Sequence, residues 1–182
     1  MMFVQTQTTP NPNSLKFLPG QIVSKIGPYE FKEKNNINNS LIRNIFAING
    51  VTSIFLGEDF ISVNKEKKSN WEDIKHIIIS LINEYYQSGE KFVLAKDPNK
   101  IESSEKLIDI EKQIIKILDT KIRPAVARDG GDIKFQEFKN GIVKVKLQGS
   151  CSGCPSSTMT LKQGVQNLLC HYVPDVKEVI AT

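Results

Sequence analysis

The chain has 182 residues, of which 40% are hydrophobic and 24% charged, and its formal net charge is +4. These values are ordinary for a globular protein, and the length fits one domain or two small ones. Because acidic residues lie between the lysines, a solvated surface explains the positive charge better than nucleic-acid binding does. No apolar stretch approaches the roughly 20 residues that a membrane-spanning helix needs.

The first half of the chain contains five short extended runs that predict β-strands. They cover residues 3–8, 15–18, 29–31, 51–56 and 60–63. The first two runs are separated by residues 9–14, which include two prolines and two asparagines. Proline fixes φ and disfavours the helical conformation of the residue before it, so this loop is expected to be rigid. The last two runs flank Gly57-Glu58-Asp59, which is typical of a hairpin.

Two helices are predicted in the same half. Ser40 is expected to cap a helix over residues 41–48, and Asn70 a longer helix that ends at Gly89. The longer helix carries an apolar stripe at helical spacing, formed by Ile74, Ile77, Ile78, Leu81, Ile82 and Tyr85. His76 has no nearby cysteine or carboxylate pattern, so we expect a surface histidine rather than a metal ligand.

Residues 91–105 show no sustained apolar period and contain Asp97-Pro98-Asn99. This composition predicts a flexible linker between two domains, residues 1–90 and 106–182. The second domain is predicted to follow the order α-β-β-α-β. Each domain is therefore expected to be α+β, with a small, mostly antiparallel sheet covered by helices.

Three signals define the second domain. A helix capped by Ser104 is expected to end or kink near Arg123-Pro124. Strands over residues 133–138 and 142–147 flank Asn140-Gly141, a two-residue hairpin signal. A second helix is predicted from Pro155 to about Tyr172, followed by a strand over residues 176–180.

A C-x-x-C pair, Cys151 and Cys154, lies between the predicted strand and the helix that begins at Pro155. The partial positive charge of a helix N-terminus stabilises a thiolate relative to a thiol. Gly149 and Gly153 allow the backbone to approach a bound anion or metal. This loop is therefore expected to present two thiolates to a soft metal.

Two thiolates do not complete a site, because structural zinc and the common iron–sulfur clusters take four protein ligands. The chain has three cysteines, and the third, Cys170, follows two leucines on an apolar helix end. We expect Cys170 to be a core residue and His171 to be structural. One chain then supplies two ligands, which predicts a site shared by two chains.

The C-x-x-C pair belongs to a longer pattern that resembles the C-terminal NifU-like domain of iron–sulfur cluster carriers, over residues 107–180. The matching residues are Ile122-Arg123-Pro124, Asp129-Gly130-Gly131-Asp132-Ile133, Gly149-x-Cys151-x-Gly153-Cys154-Pro155-x-Ser157, Thr160-Leu161-Lys162 and Pro174-x-Val176. A lone C-x-x-C is weak evidence, whereas this longer string is specific.

Residues 4–88 resemble the N-terminal domain of Nfu-type scaffolds. The matching residues are Gln5-Thr6, Thr9-Pro10-Asn11-Pro12-Asn13-Ser14-Leu15-Lys16-Phe17, Gly50-Val51 and Asp59-Phe60-Ile61. The resemblance covers nearly the whole chain. It does not include the cysteine-rich scaffold domain or the ferredoxin-like domain of the larger NifU proteins, so sulfur mobilisation is not expected to be its task.

The resemblance implies a non-enzymatic carrier that holds a [4Fe–4S] cluster between two subunits through Cys151 and Cys154 of each. In vitro, [2Fe–2S] or zinc are alternative occupants. The implied partners are a second copy of the chain, an upstream assembly scaffold and recipient apo iron–sulfur enzymes, with neither nucleic acid nor membrane. The location is the bacterial cytoplasm or, if a leader has been removed, the mitochondrial matrix. The N-terminal domain is expected to dock partners or to regulate.

Three further groups of residues have roles to be decided. The backbone N–H groups of Ser150, Ser152 and Gly153 could donate hydrogen bonds to cluster sulfur. Residues 129–132 could lie near the motif if their turn packs against it, but a glycine turn with capping carboxylates is the favoured interpretation. Lys162 could supply charge near the cluster or cover the helix surface.

Two alternatives use the same cysteines. A C-x-x-C at a helix start is also typical of dithiol oxidoreductases, although Pro155 follows the pair and the α-β-β-α-β order is expected to lack the parallel crossover of such proteins. The other alternative is a structural zinc site that bridges two chains.

Overall fold

The structure, a computed structural model, describes residues 4–34, 37–91, 93–95, 108–152 and 155–182. The chain divides into two units, Met1–Asn99 and Lys100–Thr182. Each unit has its own sheet and its own apolar core, so the predicted α+β class is confirmed. Most of the predicted linker, and the predicted Ser104 cap, lie outside the described residues. Within the described ranges, no helix is long and apolar enough to cross a membrane.

The first unit is a five-stranded antiparallel sheet with two helices. Its elements are β1 (Gln5–Thr8), β2 (Ser14–Leu18), β3 (Tyr29–Phe31), α1 (Ser40–Ala47), β4 (Val51–Leu56), β5 (Ile61–Lys65) and α2 (Trp71–Gln87). The strand order is β1-β2-β5-β4-β3. All five strands agree with the sequence prediction to within two residues at each end.

The register of the strands gathers the apolar residues on one face of this sheet. Leu15 pairs with Val63, and Phe17 pairs with Ile61, so alternate residues of β2 and β5 point to the same side. These four side chains join one core with the buried residues of α1 and α2. The apolar stripe of α2 is narrower than predicted. Ile74, Ile78, Ile82 and Tyr85 are buried, whereas Ile77 is 48% exposed. His76 is exposed, as predicted.

The cap of α1 is Asn39, not Ser40 as predicted. The Asn39 side-chain oxygen accepts a hydrogen bond from the backbone N–H of Ile42, at 3.1 Å. Its side-chain nitrogen donates to the Tyr85 hydroxyl, at 2.8 Å, and to the carbonyl of Val93, at 3.0 Å. The amide both caps α1 and links it to α2, which a serine hydroxyl is too short to do. Ser40 is the first helical residue and is exposed.

The proline-rich loop at residues 9–13 is held by its own side chains. The Thr9 hydroxyl donates a hydrogen bond to the carbonyl of Asn11. The side-chain oxygen of Asn11 accepts a hydrogen bond from the backbone N–H of Asn13. The indole N–H of Trp71 donates to the carbonyl of Pro12, at 3.1 Å, which ties the loop to the start of α2. These bonds supply the rigidity that the prolines predict.

The second unit contains three strands and a nearly continuous helical segment before them. Its elements are α3 (Asp109–Ile117), a π-helical turn (Leu118–Ile122), α4 (Arg123–Arg128), β6 (Gly131–Lys139), β7 (Ile142–Gly149), α5 (Pro155–Tyr172) and β8 (Glu178–Ala181). β6 and β7 form the predicted hairpin, in which Asn140 and Gly141 have φ of 54° and 82°. Two-residue hairpins favour a type I′ turn, because its twist matches the twist of the strands. This turn requires positive φ at both residues.

One prediction about this unit was wrong. β8 pairs with β7 in parallel, and α5 forms the connection between them, so a parallel crossover is present. The helix predicted to end or kink near Arg123-Pro124 does not end there but changes through the π-helical turn into α4, which begins at Arg123. Pro124 is tolerated there because it stands in the first turn of α4, where a missing N–H costs little.

Replacing Asn39 with Ala should lower the unfolding free energy of the first unit by about 2 kcal/mol, because a cap and two further hydrogen bonds are lost. Ser40→Ala is the matched control and should change it by less than about 0.5 kcal/mol. Trp71, the single tryptophan, reports on this unit by its fluorescence during urea unfolding. Equal effects of the two substitutions would contradict the assignment of the cap.

Candidate metal centre

The C-x-x-C loop lies where β7 ends and α5 begins. Gly149, the last residue of β7, has φ of 67°, which turns the chain out of the sheet. Cys151 follows this turn, and its carbonyl accepts a hydrogen bond from the Thr158 hydroxyl of α5, at 3.2 Å. Cys154 and Gly153 lie outside the described residues, so the pairing of the two thiols stays a prediction.

The side chain of Cys151 is buried, although the sequence predicts a loop that presents its thiolates to a metal. Only 7% of the residue is exposed, and it belongs to the apolar core of the second unit. Burial raises the pKa of the Cys151 thiol to about 11, and the carboxylates of Asp129 and Asp132 add to the shift, while the contact with Ser150 opposes it. The isolated chain therefore holds Cys151 as a neutral thiol.

The glycine turn before β6 packs directly against this thiol. Gly130 ends α4 with φ of 81°, and its carbonyl accepts from the N–H of Ser150, at 3.2 Å. The Ser150 hydroxyl donates to the carbonyl of Asp129. A Cβ atom at Gly131 would lie 2.6 Å from the Cys151 sulfur. Of the two interpretations of this turn, the structure supports the one in which it packs against the cysteine loop.

Asp132 is not a capping carboxylate, as the sequence suggested, but the second residue of β6 and part of a partly buried ion pair. Its side chain is 4% exposed and accepts from Arg123 Nε, at 2.8 Å, and Nη2, at 3.1 Å. Arg123 Nη1 also donates to Asp119, at 2.9 Å. The hydrogen bond to Asp132 raises the pKa of Arg123, which keeps the guanidinium charged.

Two of the backbone donors proposed for cluster sulfur are already engaged. The N–H of Ser150 donates to Gly130, and the N–H of Ser152 donates to the carbonyl of Gly149, at 3.2 Å. The Ser152 hydroxyl donates to the same carbonyl, at 2.8 Å. In this arrangement both N–H groups bond to backbone carbonyls, and their hydrogen bonds to cluster sulfur stay a prediction.

The remaining candidate residues are structural in this arrangement. Cys170 is half-buried and packs against the second core. His171 contacts the ring of Tyr172 edge-on, and the Lys162 ammonium lies 3.8 Å from the Glu178 carboxylate of β8. Across the described part of the chain, no group of three or more His, Cys, Asp or Glu could hold a metal ion. The described residues of one chain therefore do not complete a metal site.

Sequence reasoning missed Arg123 and left open whether residues 129–132 lie near the cysteine loop. The motif Asp129-Gly130-Gly131-Asp132 is recognisable, but its spacing gives no sign that Gly131 contacts Cys151. That contact depends on the antiparallel pairing of β6 and β7, which places Gly131 opposite Gly149.

Two family models match the chain. The NifU-like domain matches residues 114–180, and the N-terminal domain of the scaffold proteins Nfu and NifU matches residues 4–89. A human protein named NFU1 iron-sulfur cluster scaffold homolog, mitochondrial, is 45% identical over 98% of this chain and 71% of its own length.

The chain belongs to the Nfu family. The homologue from Drosophila persimilis bears the same name as the human protein and is 45% identical. NifU-like protein 4, mitochondrial, from Arabidopsis thaliana, is 42% identical over 98% of this chain and 65% of its own length. This Nfu chain spans 64% of the length of the Drosophila persimilis protein.

A solved structure, the solution structure of a NifU-like protein from Saccharomyces cerevisiae, is 31% identical. It covers 53% of this chain and 87% of its own chain, with a TM-score of 0.49.

Alkylation of Cys151 in the apo Nfu chain should show a raised pKa. In the double variant Cys154→Ala, Cys170→Ala, Cys151 is the sole thiol. Because the thiolate is the reactive form and its pKa is about 11, the rate with iodoacetamide should rise about tenfold per pH unit from pH 8 to pH 10. A rate that levels off near pH 9 would contradict the buried, neutral thiol.

Proposed function

We propose that this Nfu chain is a carrier that holds a [4Fe–4S] cluster between two copies and delivers it to apo-proteins. Its relatives are named iron–sulfur cluster scaffolds, and the family models extend over both units. The observation that carries the proposal is the position of Cys151 at the strand-to-helix loop, in a chain of three cysteines whose third, Cys170, packs against the core.

The count of ligands favours a shared site. An iron–sulfur cluster of this type takes four cysteine thiolates. Cys151 and Cys154 of each chain together supply four, and Cys170 packs against the core instead. A second copy of the same chain is therefore the proposed partner in binding, and the cluster is the cargo.

Delivery follows as ligand exchange. A thiolate of the recipient forms a bond to iron, and the bond from iron to a carrier cysteine breaks. The released sulfur takes up a proton, and no electron is transferred. Return of Cys151 to its apolar pocket favours the apo carrier, because a neutral thiol is stable in the core, whereas a thiolate is not. The chain thus needs no catalytic residue of its own.

The partners and the location follow from the same role. An upstream assembly scaffold supplies the cluster, and apo iron–sulfur enzymes receive it. The relatives are named mitochondrial, which favours the mitochondrial matrix over the bacterial cytoplasm. The first unit, which spans the N-terminal family model, is proposed to dock these partners.

The dithiol oxidoreductase remains the main competing function, since the parallel crossover β7–α5–β8 removes one objection to it. Its attacking thiol needs a lowered pKa and access to solvent, however. Cys151 is buried, and its pKa is raised. Insulin reduction that depends on Cys151, with turnover by a reductase, would support this function.

Anaerobic reconstitution with iron and sulfide tests the proposal. The full chain should form a brown dimer with about four iron atoms per two chains, and with the Mössbauer spectrum of a [4Fe–4S] cluster. Cys154→Ala should abolish the cluster because two of four ligands are lost. Cys170→Ala is the matched control and should retain it. A colourless monomer, or a dimer that holds only zinc, would contradict the carrier function.

A further inference from the structure

Residues 129–132 connect the Cys151 loop to Arg123: residues 129–131 contact Ser150 and Cys151, and Asp132 binds Arg123. We propose that Arg123 is a positioning residue for the Cys151 sulfur. Arg123 does not contact the thiol in this arrangement but fixes, through Asp132, the turn against which the thiol packs. Its effect on cluster retention rests on the proposed function, whereas its effect on Cys151 does not.

The first step is the ion pair between Arg123 and Asp132. Two parallel hydrogen bonds join the guanidinium to both carboxylate oxygens, which fixes direction as well as distance. The Asp132 side chain is 4% exposed. Loss of its hydrogen bonds to Arg123 would therefore leave a buried charge without a partner, at a cost in free energy. A shorter or neutral side chain at position 123 leaves that carboxylate free to move.

The second step is the anchoring of Arg123 itself. Its third nitrogen donates to Asp119, which lies in the π-helical turn immediately before it. π-Helical turns are rare in proteins, but those that occur often lie at functional sites. The turn places Asp119 and Asp132 on either side of one guanidinium, so Arg123 is held from the helical segment and from the strand.

The third step leads from Asp132 to the sulfur. Gly131 adjoins Asp132 in β6, and no side chain separates its Cα from the Cys151 sulfur. Ser150 binds the carbonyls of Asp129 and Gly130 on the same side of the turn. A displacement of the turn therefore changes the space that the thiol occupies and the bonds that hold its neighbour.

The consequence is measurable at the thiol and at the cluster. Residues that orient metal ligands from outside typically change metal affinity 10–100-fold when they are replaced. We therefore expect Arg123→Gln to accelerate alkylation of Cys151 in the apo chain about tenfold, and cluster loss to a chelator by about the same factor. Arg123→Lys, which keeps the charge but not the paired geometry, should lie between Arg123→Gln and wild type.

The alkylation arm uses the full chain with Cys151 as its sole thiol, and the chelator arm uses the native cysteines. Lys144→Gln, which removes an exposed ion pair with Glu137 on the hairpin, is the matched control and should leave both rates within about twofold of wild type. Alkylation is also measured at low urea. A rate that does not depend on urea comes from the native state rather than from global unfolding.

A second pair of variants tests the same path without removing a charge. Gly131→Ala inserts a methyl group 2.6 Å from the sulfur and should accelerate both reactions even with Arg123 intact. Gly164→Ala adds the same group on α5, where nothing lies within 4 Å, and should change neither.

The outcomes separate the two proposals. If Arg123→Gln and Arg123→Lys lower the urea midpoint but leave alkylation within about twofold of wild type, Arg123 is a stabilising residue only, and the inference is overturned. If Arg123→Gln does not fold, the alkylation rates of Arg123→Lys and Gly131→Ala are compared with that of the wild type in the same way. If the wild-type chain takes up no cluster, the proposed function fails, while the alkylation rates still decide the role of Arg123.

Discussion

A Cβ atom at residue 131 would lie 2.6 Å from the Cys151 sulfur and 2.6 Å from the carbonyl oxygen of Gln148. The glycine turn and the cysteine loop can therefore meet only where residue 131 has no side chain. Because they meet, the hydroxyl of Ser150 reaches the turn, and Cys151 is enclosed in the core. The ion pair of Arg123 and Asp132 lies directly beside this contact, which places a buried charge where any shift would be costly.

This packing suggests how a carrier can bind its cargo and also release it. Cys151 as a buried, neutral thiol is part of the apolar core of the second unit, so under the proposed function this ligand also has a stable position without the cluster. A zinc finger differs in this respect, because it is unfolded without its metal. A ligand that is stable in both its bound and its free state suits transfer better than permanent storage does.

The first unit is built independently of these contacts. Asn39 joins α1 to α2, and Trp71 ties the proline-rich loop to the helix behind it. Its described residues include no group of three potential metal ligands. For the docking role proposed for this unit, a loop held by its own hydrogen bonds is favourable, because little conformational entropy is lost when such a surface binds.

The sequence by itself determined the α+β class, the strands of both units, the N-cap at Asn70 and the hairpin at Asn140-Gly141. It did so because these features depend on local periodicity, on capping chemistry and on positive φ at glycine or asparagine. The family resemblance, confirmed by the models that match both units, likewise needed only the order of residues.

Only the tertiary structure decided that Cys151 is buried, that Gly131 faces its sulfur and that Arg123 holds Asp132. These contacts join residues 9 to 20 positions apart through the register of β6 and β7 and through a π-helical turn that local propensity does not signal. The choice of Asn39 over Ser40 as the cap of α1 has the same cause. Both residues can cap a helix, and only the distant Tyr85 and Val93 favour the longer side chain.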